Sequence, residues 1–573
     1  MSDVIIRISG ANGDGIESSG ALLIKAAARS GMNVFGYRSY QSVIKGGNVW
    51  YQVRISDNEI YSHGDRVDIL VALSQDAVAN QIDKLKSNGI LIYDPNRVTA
   101  PPSTAHEVKI PMLEIATKIS GDPIMRNTVA IGAVLRLVGI DINVFNNILK
   151  ETFSKKGNEI VDQNIKAVSA GYNFEGLERS FDIKGSNTKR FVMDGNTALA
   201  IGAYAAGCKL YSAYPMTPAS GILHWFASHE NIGVVFKQTE DEITAINTTI
   251  GAASAGIRAM CGTSGGGFSL MVEGLGLAGM IEAPIVVVEA ERTGPSTGLP
   301  TKTEQSDLLF VTHASQGEFP RIVVAPRSTK ESFDVAANAF NLAERYQCPV
   351  IILSDLYMAE HIETVDQFNT SIAIDRGKIA QSASSAKFDR YKITDDGISP
   401  RSIPGTPGLE FVAASDEHDE YGNLISDVFA GIDKYVEKRK QMHEKRMRKI
   451  DTMLKNENLF VPEIYNEKAD YFLVTFGSST MQAKEAVLEL KKQGLNFGVI
   501  SFSYLVPMDG SKVKAMLDGK KLIDVEYNYT AQLAQLIKSN TGISIDKLIL
   551  KYDGEAFTPS EIAEKAANIA KVW

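Results

Sequence analysis

Three consecutive acids, Glu240, Asp241 and Glu242, stand between a short apolar run at Val234–Phe236 and a small-residue helix carrying Ala, Gly and Ser at close intervals. An acid at a strand-to-helix junction is a place where chemistry could sit, and acids in a first turn also suit the helix dipole. A glycine-rich loop, Thr263-Ser264-Gly265-Gly266-Gly267, follows one helix later. Upstream, Pro215 and Pro218 bracket Met216 and Thr217 in the stretch Tyr214-Pro-Met-Thr-Pro-Ala-Ser220, which fixes a hydroxyl in a rigid turn. Downstream, Arg292 roots a polar loop running to Gln305 and could offer a fixed guanidinium to a carboxylate. Each feature has an ordinary structural counterpart: an acidic helix start, a proline-rich connection, an ion pair.

Around these residues the elements alternate as strand and helix, as expected of α/β domains. Val4–Ser9 reads as a strand, Gly10-Ala-Asn-Gly-Asp-Gly15 as a turn, and residues from Ile16 to Gly31 as a helix. The glycine order G-x-x-G-x-G is not the dinucleotide fingerprint, so the turn suits a generic anion or a tight bend. Lys45-Gly46-Gly47 forms a second loop before an alternating strand at Val49–Ile55, and buried strands are expected at Asp68–Leu73 and Gly89–Tyr93. Residues 181–190 read as a linker, and a second α/β unit is expected from Phe191, with a helix at Asn196–Gly207 and buried strands at Ala283–Ala290 and Pro349–Ser354. Residues 365–420 are polar and irregular. Val428–Leu454 reads as a charged helix presenting a solvated face or a packing arm, and a third α/β unit opens at Asp470.

The 573 residues are too many for one core. Hydrophobic content of 44% and a net charge of −9 fit a soluble globular chain and give no support for nucleic-acid binding. Cys208, Cys261 and Cys348 lie far apart and supply neither a disulfide framework nor an iron–sulfur or zinc site. With no signal peptide or long apolar span in the sequence, a cytoplasmic location is expected.

Tyr214-Pro-Met-Thr-Pro218 resembles the Tyr-Pro-Ile-Thr-Pro signature of the 2-oxoacid:ferredoxin oxidoreductases. The loop Gly294-Pro-Ser-Thr-Gly-Leu-Pro-Thr-Lys-Thr-Glu-Gln305 resembles that of the 2-oxoglutarate-type alpha subunits. Glu417–Gly422, Val525–Gln532 and Tyr552–Pro559 are similar to further family stretches, and the first 180 or so residues resemble the gamma subunit fused ahead of alpha. The resemblance implies three α/β domains: a gamma-like domain (1–182), a pyrimidine-binding domain (190–360) and, after an extension and charged helix (361–465), a transketolase C-terminal-like domain (466–573).

It also implies thiamine diphosphate as cofactor, with a buried glutamate on N1′ of the aminopyrimidine. Glu242 matches that glutamate, with Glu240 in reserve; Thr217 and Arg292 match the groups on the substrate's keto-carboxylate. Pro215, Thr263, Ser264, Gly265 and Gly266 are expected near the pyrimidine. The resemblance places coenzyme A on the gamma-like domain at Gly10, Asn12, Gly13, Gly15, Lys45, Gly46 and Gly47, although Asn12, Asp14 and Lys45 depart from the usual residues. No metal ligands are assigned to this chain. Gly13-Asp-Gly15 lacks the spaced Asn of a diphosphate–Mg²⁺ site, and no cysteine set could hold a [4Fe–4S] cluster, so both are expected on a beta subunit in a complex of two alpha and two beta chains. The implied reaction is CoA-acylating oxidative decarboxylation of 2-oxoglutarate with ferredoxin as electron acceptor, or its reversal as CO₂ fixation. Branched-chain oxoacids or pyruvate are the alternative substrates, and a non-catalytic CoA-binding scaffold is the alternative role.

Overall fold

The computed structural model describes residues 3–41, 47–99, 105–382, 387–426, 428 and 431–573. Lys45 and Gly46 fall outside these residues. The chain forms two compact units, one comprising residues up to Asp194 with 361–367 and 558–560, the other comprising the remainder.

The first unit is built on a mixed eight-stranded sheet. Its strands include β1 (Asp3–Ala11), β2 (Asn33–Ser39), β3 (Asn48–Ser56), β4 (Val67–Ala72), β5 (Leu85–Tyr93), β6 (His106–Lys109) and β7 (Phe191–Asp194). β1 lies inside the sheet, parallel to β4 and antiparallel to β3. Val4, Ile6 and Ile8 face a core with Leu23 and Ile24 of the helix Ile16–Arg29, while Ile5 faces the opposite core with Leu70 and Leu91. Burial on both faces explains the unbroken apolar run. The predicted linker at 181–190 has no regular structure, but Ser186 donates its N–H to the Gly31 carbonyl at 2.8 Å.

Phe191–Asp194, expected to open the second unit, instead belongs to the first sheet. It pairs antiparallel with Ile362–Val365, which pairs in turn with β2. The two segments flank residues 195–360 in sequence, so the chain's exit and return pair with each other and cover the β2 edge.

The second unit carries two sheets. In one, β8 (Leu210–Ala213), β9 (Val235–Gln238), β10 (Ala259–Thr263), β11 (Val286–Glu291), β12 (Ile322–Val324) and β13 (Val350–Asp355) are parallel, in the order β12-β13-β11-β10-β8-β9. The other is built on Tyr471–Phe476, Phe497–Phe502 and Leu522–Glu526. Tyr504–Val506 crosses over to pair with β12, and one apolar cluster runs from Ile246 and Phe268 to Phe476 and Leu533. Among the described residues the α/β fold thus carries three sheets, two of them on a shared core.

The charged helix runs from Ile432 to Asn456 and is not merely a solvated face. Lys445, Arg446 and Lys449 are buried on its inner side with Met442 and Met453. Lys445 Nζ lies 2.5 Å from Glu282 Oε1 and Lys449 Nζ 2.6 Å from Oε2, all three side chains excluded from solvent. Cationic residues on an inner face hide the apolar period that marks a packed helix, because their partner Glu282 lies more than 160 residues away. The three cysteines are buried, as small hydrophobes are. Among the described residues, no helix is long and apolar enough to cross a membrane.

Candidate active site

Glu242 is the first residue of the helix Glu242–Ser254, directly after β9. Asp241 caps this helix, its Oδ1 accepting the Thr244 N–H at 2.8 Å, while Glu240 is exposed and accepts the Thr244 hydroxyl. The three acids thus divide their work. One caps, one faces solvent, and Glu242 is turned inward at 3% exposure. Its Oε1 is buried with no hydrogen-bond partner. Leaving a buried carboxylate oxygen unsatisfied costs free energy, so such an oxygen marks a position where a ligand donor belongs.

The glycine loop supplies the neighbouring wall. β10 ends at Thr263, and Gly265 opens the helix Gly265–Met280 with φ +35°. A Cβ at Gly267 would come within 2.7 Å of Glu242 Oε1 and closer still to Thr263 Oγ1, so only glycine lets this helix approach the carboxylate. Gly266 is exposed with open space at its Cβ position. Ser264 Oγ is buried and unpartnered, and Thr263 Oγ1 lies 3.9 Å from Met216 Sδ. The Pro215–Pro218 turn is tied down by Asn196, whose Nδ2 donates to the Pro218 carbonyl at 2.8 Å. Arg292 Nη1 donates to the Thr217 carbonyl at 2.8 Å. Hence Arg292 meets Thr217, Thr263 meets the Met216 turn, and Thr263 and Glu242 both close on Gly267.

A buried carboxyl cluster escaped the sequence reading. Glu289 and Glu291 point from β11, Asp355 from β13, and Asp307 precedes the helix Leu308–His313. Burial, and then Asp307, push Glu289 well above the usual carboxylate range; burial, and then Glu289, do the same for Glu291. Burial takes Asp307 up to about 6 and Glu304 up to about 7. Glu289 Oε1 accepts the Gly265 N–H at 2.5 Å, and Glu291 Oε1 accepts the Asp307 N–H at 2.7 Å. Among the described residues, no group of His, Cys, Asp and Glu side chains is arranged to hold a metal ion. The sequence signal was available: Val286-Val-Val-Glu-Ala-Glu291 carries two acids in a strand otherwise fully apolar.

Three of the singled-out stretches converge. The Gln305 N–H donates to the Tyr527 carbonyl at 2.7 Å and its Nε2 to Asp355 Oδ2 at 3.0 Å, while Asn528 Nδ2 donates to the Gln305 carbonyl at 2.9 Å. Lys302 pairs with Glu555, and the Phe557 N–H donates to the Tyr527 hydroxyl at 3.0 Å. The 294–305 loop is thereby strapped to the 525–532 and 552–559 stretches. Glu417 lies apart, bound in a two-bond fork to Arg446 at 2.9 and 2.7 Å.

In the first unit, Asn12 donates its N–H to the Gly47 carbonyl at 3.3 Å, so the Gly10–Gly15 turn and the end of the Lys45 loop lie side by side. Gly13 and Gly15 have φ +96° and +77°. Asp14 is neutralised by Arg126 at 2.8 Å, and its carbonyl accepts Asn127 Nδ2 at 2.5 Å.

Comparison with known proteins agrees with this architecture. Residues 201–438 match the family described as pyruvate flavodoxin/ferredoxin oxidoreductase, thiamine diP-binding. Residues 5–174 match pyruvate ferredoxin/flavodoxin oxidoreductase, and 469–562 match pyruvate:ferredoxin oxidoreductase core domain II. A 2-oxoacid:ferredoxin oxidoreductase subunit alpha from a Sulfolobus species is 34% identical over 98% of this chain and 96% of its own. The 2-oxoglutarate oxidoreductase subunit KorA of Mycobacterium tuberculosis is 30% identical over 98% and 91%. The 2-oxoglutarate:ferredoxin oxidoreductase of Magnetococcus marinus, solved with 2-oxoglutarate, coenzyme A and succinyl-CoA, superposes with TM-score 0.92 at 33% identity over 99% of both chains. With relatives of this similarity along nearly its whole length, the chain belongs to the thiamine-diphosphate-dependent 2-oxoacid:ferredoxin oxidoreductase family, as a subunit of the alpha type.

Proposed function

We propose that this chain is the alpha subunit, with gamma-like domain, of a 2-oxoglutarate:ferredoxin oxidoreductase that forms succinyl-CoA and CO₂ with a beta subunit. The observation carrying the reading is Glu242: a buried carboxylate with an unpartnered Oε1, walled by a glycine helix that a methyl group would block. A buried acceptor of this kind suits the aminopyrimidine of thiamine diphosphate, whose ring nitrogen would satisfy Oε1. When bound, the cofactor supplies the carbanion chemistry that decarboxylation needs.

The chain's own residues do the rest. Glu242 holds a proton at the ring nitrogen and, being buried, keeps that hydrogen bond strong. Thr263, Ser264, Gly265 and Gly266 with Pro215 border the ring. Arg292, whose Nη1 donates to the Thr217 carbonyl, is assigned with Thr217 to the substrate's keto-carboxylate. Coenzyme A is assigned to the paired turns at Gly10, Asn12, Gly13, Gly15 and Gly47 with Lys45 and Gly46. Asp14 is no obstacle there, since Arg126 neutralises it. Mg²⁺, the cofactor's diphosphate and the [4Fe–4S] cluster are assigned to beta.

The choice of 2-oxoglutarate rests on the KorA relative and the Magnetococcus complex. The test is CoA-dependent reduction of ferredoxin or methyl viologen by the purified complex with 2-oxoglutarate, pyruvate and 2-oxoisovalerate in parallel. Preference for 2-oxoglutarate is expected. Preference for another oxoacid overturns the substrate, and no reduction by a complex holding thiamine diphosphate and iron overturns the enzyme.

A further inference from the structure

The carboxyl cluster behind the glycine loop has no part in the reaction as described, yet one member touches the machinery. Glu289 is fully buried at the C-terminal end of β11, its side-chain Oε1 2.5 Å from the Gly265 nitrogen. Strands β10 and β11 run parallel with Thr263 opposite Glu289, so Glu289 sits beside the residue that leads into the loop. Ser264 caps the helix Gly265–Met280 without a side-chain hydrogen bond, so the helix draws its first-turn acceptor from another strand. That turn places Gly267 against Glu242 and Thr263.

We propose that Glu289 is a positioning residue for the reaction: by accepting the Gly265 N–H it fixes the turn that sets Gly267 and Thr263 against Glu242. The inference rests on the thiamine diphosphate reading of the site.

An ionised carboxylate is not required for this task. A neutral carboxyl oxygen accepts an N–H equally in kind; burial, then Asp307 and Asp355, favour the neutral acid against the opposing pull of the Gly265 N–H and Arg292. The residue therefore works as an uncharged hydrogen-bonding group, and its ionisation at alkaline pH would add a charge beside Glu242's supporting loop.

The test compares wild type, Glu289→Gln and Glu289→Ala in the complex with its beta subunit. Glutamine keeps a neutral oxygen in place; alanine removes it. Glu289→Ala is expected to lower kcat by roughly 100-fold, as a small displacement of a catalytic group does, while KM for the oxoacid stays within about threefold. Glu289→Gln is expected to recover kcat to within about tenfold of wild type and to lack the alkaline fall in kcat expected of wild type. Amide hydrogen exchange at residues 265–268, measured without substrate, is expected to be faster in the alanine variant only. Wild-type kcat in the alanine variant, or a glutamine variant as impaired as alanine, would overturn the proposal. Should the alanine variant not assemble, the pH profile of Glu289→Gln decides: an alkaline limb identical to wild type overturns it. Absence of thiamine diphosphate-dependent turnover in wild type would instead sink the underlying reading, while the exchange comparison still reports on the turn.

Discussion

Replacing Glu282 by alanine leaves two lysines in the protein interior without their counter-charge. Lys445 and Lys449 approach Glu282 at 2.5 and 2.6 Å with no solvent exposure at any of the three side chains, and Arg390 donates to the Glu282 carbonyl at 3.3 Å. Burial opposes ionisation of Glu282, but Lys445, Lys449 and Arg390 together hold its carboxyl far below the usual range. Burial pushes Lys445 down to about 7 even beside the carboxylate. Breaking a buried pair from one side costs about 3–5 kcal/mol, so Glu282→Ala is expected to lose that much at pH 6. A lysine whose folded pKa is depressed is penalised below its unfolded pKa, and without Glu282 the depression deepens. The deficit is therefore expected to shrink between pH 6 and pH 9, where both lysines shed their protons at less cost. Glu282→Met combined with Lys445→Met and Lys449→Met is expected to recover part of the loss, since both lysines leave with the carboxylate and only Arg390, held by the residue 282 carbonyl, keeps a charge there. Urea unfolding of the second unit at the two pH values reads this directly. A loss under about 1 kcal/mol at pH 6, or one independent of pH, would refute the reasoning.

Arg292→Lys keeps the charge but not the fork bonded to Thr217, so KM for the oxoacid is expected to rise about tenfold or more in steady-state assays. Gly267→Ala adds a methyl within 2.7 Å of Glu242 Oε1; weaker thiamine diphosphate binding in a titration is expected, at a stability cost of about 1–3 kcal/mol. The carboxyl cluster has a pH signature of its own. Glu289 and Glu291 are raised well above 4.5, Asp307 reaches about 6 and Glu304 about 7. Raised groups stabilise the fold below their unfolded pKa and lose that contribution as pH rises through the folded value. Thermal unfolding is accordingly expected at higher temperature near pH 5.5 than near pH 8.

The sequence carried the site's parts further than its surroundings. Strand, turn and helix at Val4–Arg29 were legible because the apolar run and the glycines act locally. Glu242 was separable from its neighbours only through the resemblance; burial then distinguishes it from exposed Glu240, a matter of which way a first turn faces. What escaped depends on distant partners. Phe191–Asp194 looks like any short strand, and its assignment to the first sheet needs Ile362–Val365. Lys445 and Lys449 look solvated until Glu282 is placed. Gln305 reads as the end of a loop, yet it links Asp355, Phe476 and Tyr527.

The account's central claim is that Glu242 is the group through which this chain activates thiamine diphosphate. Glu242→Gln, assembled with the beta subunit and loaded with cofactor and iron, should be assayed for CoA-dependent viologen reduction with 2-oxoglutarate. Loss of about 100- to 10,000-fold in kcat, with the complex intact and cofactor still bound, is the predicted result. Turnover within tenfold of wild type would contradict it.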